Sequence, residues 1–111
     1  MAELLAQLNS EMASVVAHVQ RSLVQIRNGR HGMGAGIIWR PDGLIVTNAH
    51  VVGQPASRVR RADGQTYAAR RLAHDARRDL AALQVDAAGL PPVELGDARA
   101  LQAGEWVMAL G

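Results

Sequence analysis

Among the side chains of this 111-residue sequence that could do chemistry, His50 is the best placed. It lies near the end of the run Gly43-Leu44-Ile45-Val46-Thr47-Asn48-Ala49-His50-Val51-Val52, in which an apolar strand delivers an imidazole at its tip. An imidazole carried that way can leave a sheet and reach a cleft, where it can serve as general base and general acid. A lone histidine at a strand end more often serves structure than catalysis, so its meaning depends on its surroundings. A nucleophile would need a hydroxyl beside that base, and amide donors for the oxyanion it creates. The serines are Ser10, Ser14, Ser22 and Ser57, and none sits in a glycine-flanked turn. Ser57, in a loop after His50, is the nearest formal candidate, and nothing around it resembles an oxyanion hole.

The other candidates carry less. His18 falls beside an apolar helical stripe and reads as a surface or packing residue. His31, and His74 beside Asp75, lack any metal-ligand spacing, so no metal site is expected. Gly34 and Gly36 precede a strand rather than a helix, which fits close β packing or a bulge and not a phosphate cradle. No cofactor-binding residue is expected.

The elements that must position His50 follow from the period of the apolar residues. Leu5, Leu8, Met12, Val15 and Val19 recur at alternating intervals of three and four, with Leu4 and Val16 beside them, which predicts an amphipathic helix over residues 1–21. That face calls for a cover, and packing on the body of the domain is favoured over a coiled-coil seam of only two heptads. After Arg21 the period shortens, and strands are expected over 22–27, 33–39, 44–48, 58–61, 65–73 and 80–85. Pro41-Asp42-Gly43 and Asp63-Gly64 supply hairpin turns with a mechanism, proline presetting φ and glycine permitting it to be positive. Residues 86–104, rich in Ala, Gly and Pro, read as a connector. Residues 105–110 return as an apolar strand, whose unpaired edge should find a partner.

Composition narrows the partners. Nearly half of the residues are apolar (49%) and 20% are charged, the balance of a folded domain, and the length allows one small domain. The isoelectric point of 10.4 overstates the basicity, because the net charge is only +2 and all 12 basic residues are arginines, which do not deprotonate. Arginines gather at 58, 60 and 61 and at 70, 71, 77 and 78, but aromatic residues make up only 3%. A solvated sheet face is therefore expected rather than a nucleic-acid surface. With no cysteine, neither a disulfide frame nor a thiolate zinc site is available. No apolar run has the length of a membrane span. Glu3, Gln7, Asn9, Ser10 and Glu11 do not fit a signal peptide, so the chain is expected to be cytoplasmic or to have its export segment outside these residues.

From about Ala13 onward the sequence resembles the HtrA (DegP-like) branch of the trypsin-like serine proteases. The resemblance is carried by Gly34-Ala35-Gly36-Ile37-Ile38, Pro41-Asp42-Gly43, Thr47-Asn48-Ala49-His50-Val51-Val52, Ala62-Asp63-Gly64 and His74-Asp75-Ala76-Arg77-Arg78-Asp79-Leu80-Ala81-Ala82-Leu83. The stretch from Gly96-Asp97 to Ala103-Gly104-Glu105 is similar to that family's connector between its two barrels. It implies an all-β fold: a single six-stranded chymotrypsin-type antiparallel barrel over 22–85 behind the helix, a connector over 86–104, and 105–111 as the first strand of a second barrel.

The resemblance also implies roles. His50 is the general base and then general acid, and Asp79 is the carboxylate that orients and stabilises it. Asp79 is preferred because the apolar strand beginning at Leu80 follows it at once, matching the family pattern; Asp75 reads as a turn cap and Asp86 as a strand end. The family's nucleophile comes from a Gly-Asn-Ser-Gly-Gly segment of the second barrel, and these 111 residues contain none. The chain is thus expected to be the amino-terminal half of a serine endopeptidase, truncated and inactive alone. Its expected partners are the second barrel, or its own copy by strand or helix exchange, with polypeptide substrates in the complete enzyme. Family members are often periplasmic or membrane-anchored.

Overall fold

Alternation of apolar and polar residues after Arg21 sends every second side chain inward, and a sheet so patterned must cover its apolar face. In the computed structural model, which describes residues 1–29, 32–53 and 56–111, it does so by closing on itself. Six strands form the wall: β1 (Leu23–Asn28), β2 (Gly32–Arg40), β3 (Leu44–Thr47), β4 (Ala56–Arg61), β5 (Thr66–Asp75) and β6 (Leu80–Val85). All neighbours are antiparallel, and the closed order is β1-β2-β3-β6-β5-β4. The barrel expected from the sequence is therefore present, each strand within a few residues of its expected span.

The inward residues make one core. Val24 and Ile26 of β1, Ile38 of β2, Ile45 of β3, Val59 of β4, Ala69 of β5 and Ala81, Leu83 and Val85 of β6 are buried together with Val52 and Leu90. Two glycines permit this closeness. A Cβ on Gly36 would stand 2.8 Å from Ile26 Cδ1 and 3.1 Å from Ile45 Cγ2, and one on Gly34 would stand 2.6 Å from both γ-carbons of Val51. The β2–β3 hairpin turns at Gly43, whose φ of 101° suits glycine alone and whose missing Cβ makes room for the Val85 carbonyl. The β4–β5 hairpin turns at Gly64 (φ 89°), with the Asp63 carboxylate accepting the Gln65 N–H at 2.9 Å.

Arginines 58, 60 and 70 are exposed on the outer wall, and Arg58 lies directly opposite Arg27. Residues 86–104 carry no regular structure except a single 3-10 turn at Ala98–Ala100. They are tied to the barrel where Leu90 N–H donates to Pro41 O, Val93 N–H to Ile38 O, and the Ser22 hydroxyl to Pro91 O.

Two expectations are corrected. The helix α1 (Ala2–Gln20) forms, yet it buries no residue: Leu4, Leu5, Leu8, Met12 and Val15 all remain exposed. Its apolar side only borders a cleft of about 530 Å³ lined by Leu23, Ile37, Val93, Trp106, Met108 and Leu110. The barrel has no second open face to cover the helix, since closure has already buried the apolar side of the sheet. The expected strand over 105–110 is not formed either, and Trp106 is 86% exposed. A strand needs a ladder partner, and in a closed barrel every strand already has two. The radius of gyration is 16.0 Å, against about 13 Å for a compact domain of this size.

Candidate active site

At one end of the barrel, the four consecutive residues Thr47 to His50 are tied to β2, to β5 and to the turn before β6. The Thr47 hydroxyl donates to Ala35 O at 2.7 Å on β2. The Asn48 side-chain amide donates to Asp79 O at 3.0 Å. Ala49, buried, offers its carbonyl to Nε2 of His74 on β5 at 3.1 Å. His50 then sits in a short 3-10 turn, Ala49–Val51, closed by Val51 N–H to Asn48 O and by Val52 N–H to Ala49 O. Val52 is fully buried and roots the turn in the core.

Asp79 reaches the same place from the other side, in the turn between β5 and β6. That turn is built by Asp75, whose carboxylate accepts the N–H groups of Arg77 and Arg78, both at 3.1 Å. Asp79 has φ 54°, the one positive φ at a non-glycine position among the described residues. Its carboxylate faces His50. Oδ1 accepts the His50 backbone N–H at 2.9 Å, and Nδ1 of the ring lies 2.8 Å from Oδ2 and 3.0 Å from Oδ1. The backbone bond from His50, the bond from its ring and the ring's charge together hold the Asp79 carboxyl below its ordinary value, against a smaller opposing effect of burial.

An ionised carboxylate only accepts, so Nδ1 is the ring nitrogen that carries the proton toward Asp79, and Nε2 is left to take or give one. The pair is open to approach, His50 being 72% and Asp79 45% exposed at the side chain. Beside it lies an apolar hollow of about 230 Å³, with Ile37, Val46, Leu80 and Leu110 in its lining. What this arrangement can do is accept a proton from a group placed at Nε2 while the carboxylate stabilises the resulting imidazolium.

The structure thus brings His50 and Asp79 together and leaves their rivals apart. Asp75 caps its turn, and Asp86 directly follows the last residue of β6. No serine hydroxyl is bonded to His50: Ser10 and Ser14 lie on α1, Ser22 bonds to Pro91 O, and Ser57 is buried within β4 with its hydroxyl unpartnered, not in a loop. His18 lies 3.3 Å from Glu94, at the surface. His31 lies outside the described residues, and no group of three metal-ligating side chains occurs among those described. Asn48 and His74 were given no part in the site by sequence reasoning. The one available signal was a polar Asn set directly before the histidine loop in an otherwise apolar run.

A family model described as the trypsin-like peptidase domain matches residues 34–111. A protein of Marinomonas sp. (strain MWYL1) named "Probable periplasmic serine endoprotease DegP-like" is 41% identical over 83 residues, covering 74% of this chain and 18% of that protein. "Serine protease HTRA2, mitochondrial" of Drosophila pseudoobscura pseudoobscura is 39% identical over 116 residues, covering 90% of this chain and 27% of that one. A DegP-like protein of Halomonas elongata is 43% identical over 83 residues, or 74% of this chain and 18% of its own length. The chain therefore spans well under a third of these relatives.

Proposed function

The chain belongs to the trypsin-like peptidase family, with relatives named as DegP-like and HtrA serine proteases, and from that premise we propose that it supplies the histidine and aspartate of a Ser-His-Asp triad. His50 is the general base that takes the serine proton and returns it to the leaving amine. Asp79 holds the ring with its proton on Nδ1 and stabilises the imidazolium. The observation that carries this reading is the double grip of the Asp79 carboxylate on His50, through the backbone N–H and the ring. The reaction is hydrolysis of a peptide bond within a polypeptide. Its nucleophile and oxyanion donors come from a second barrel, and these 111 residues alone are inactive. The apolar hollow beside the pair, with Leu80 48% exposed, supports a second barrel docking there.

The test uses a serine-directed fluorophosphonate probe. The chain alone is expected to stay unlabelled, whereas a fusion to the remaining protease segment of the Marinomonas relative is expected to be labelled at that segment's serine. His50→Ala should slow that labelling by about a thousandfold or more. Labelling of Ser22 or Ser57, or a fusion indifferent to His50→Ala, would overturn the reading.

A second reading is favoured by the uncovered helix. The chain associates with its own copy through the apolar side of α1 and the neighbouring Trp106 and Met108. It is compatible with the first, since one concerns chemistry and the other assembly.

A further inference from the structure

Asp79 is held in a backbone conformation that a residue with a side chain rarely adopts, and such a conformation persists only where its surroundings over-determine it. The ladder between β3 and β6 ends at the pair Thr47 and Ala81, two residues short of Asp79. Beyond it a single described hydrogen bond continues the connection to the Asp79 backbone: the amide of Asn48 to the Asp79 carbonyl, at 3.0 Å.

Asn48 makes this bond in place of the one its position invites. It stands immediately before the 3-10 turn that carries His50, where an asparagine side chain ordinarily accepts a free N–H of the first turn. Here it makes no such cap. The His50 N–H is accepted instead by the Asp79 carboxylate at 2.9 Å, while the Asn48 side chain turns away to donate to the Asp79 carbonyl. The two residues have exchanged partners, so that Asp79 caps the histidine turn and Asn48 holds Asp79.

We propose that Asn48 is a positioning residue for the acid–base pair: by donating to the Asp79 carbonyl it fixes the left-handed backbone that turns the Asp79 carboxylate onto His50. The inference rests on the reading of His50 and Asp79 as that pair. Its consequence is chemical. Without the Asn48 bond, the Asp79 backbone relaxes toward negative φ and its carboxylate leaves Nδ1. The ring proton then moves to Nε2, the nitrogen that must be free to accept one. The lowered Asp79 carboxyl agrees with this, because the bonds from His50 that lower it exist only with the carboxylate turned this way.

The experiment reads the His50 tautomer by nitrogen-15 NMR of the 111-residue chain at about pH 9, where a histidine of ordinary pKa is neutral. The native chain should show His50 mainly in the Nδ1–H form. Asn48→Leu, similar in size and without a donor, should shift the ratio by about fivefold toward Nε2–H, as expected for loss of one hydrogen bond. Asn48→Asp, ionised at that pH and also without a donor, should shift it in the same direction and serves if the leucine variant does not fold. His74, tied to Ala49 from β5, should keep its Nε2–H form in both, which separates loss of position from general loosening. A folded variant whose His50 ratio stays within about twofold of native would overturn the proposal. A native chain with His50 mainly in the Nε2–H form would overturn the acid–base pair itself, and the proposal with it.

Discussion

A carboxylate gripping both the backbone and the ring of one histidine does two jobs with one group. It caps the turn that presents His50 and fixes which ring nitrogen stays free. Because the Asp79 carboxyl lies below its reference value of 3.8, its ionised form contributes stability that is fully present above that pH and is lost as pH falls through the lowered value. Asp79→Asn removes the charge and leaves the remaining carboxylates in place, including Asp97, which Arg99 lowers in the same direction. The gap in unfolding free energy between native and variant should therefore narrow as pH is taken from about 5 to about 2. Denaturant titrations at several pH values read it. A gap that widens toward acid would contradict the assigned hydrogen bonds.

At the scale of the strands, the site is positioned by closeness. β2 can lie against β1 and β3 only because Gly36 has no side chain where Ile26, Ile45 and Val24 converge. Gly36→Ala should cost about 1–3 kcal/mol by overpacking, since the neighbours are core side chains with nowhere to move. Gly96→Ala, where an added Cβ meets nothing within 4 Å, should change stability by less than about 0.5 kcal/mol. Urea midpoints of the two variants decide it, and equal effects would show that β2 is not held by this contact. The same wall carries a cost elsewhere, because Arg27 and Arg58 stand opposite each other with no carboxylate within ion-pair distance among the described residues.

For the whole molecule, the contrast is between a closed barrel and a helix that it leaves bare. The apolar stripe of α1 and the exposed Trp106 and Met108 border one cleft, and association through it should bury them. The native chain is expected to run heavier than a monomer in light scattering at tens of micromolar, about the range for a modest apolar interface. Leu8→Glu combined with Met12→Glu should return it to the monomer mass while the barrel's circular dichroism is retained. A native chain that stays monomeric across a wide concentration range would remove the second reading and leave the first untouched.

Much of this molecule was legible before its fold was known, because the signals involved are local. Turn chemistry at Pro41-Asp42-Gly43 and Asp63-Gly64 set two hairpins, and alternation of buried and exposed residues set the strands. The resemblance around His50 and Asp79 pointed to residues 29 apart that the fold brings within 2.8 Å. Three features were decided only by tertiary structure. Whether α1 is covered depends on barrel closure, which consumes the apolar face a helix would have needed. Whether 105–110 is a strand depends on a ladder partner, which no periodicity can reveal. The exchange between Asn48 and Asp79 depends on two turns meeting at one end of the barrel: sequence fixes which groups can donate and accept, and only the folded chain fixes which of them meet.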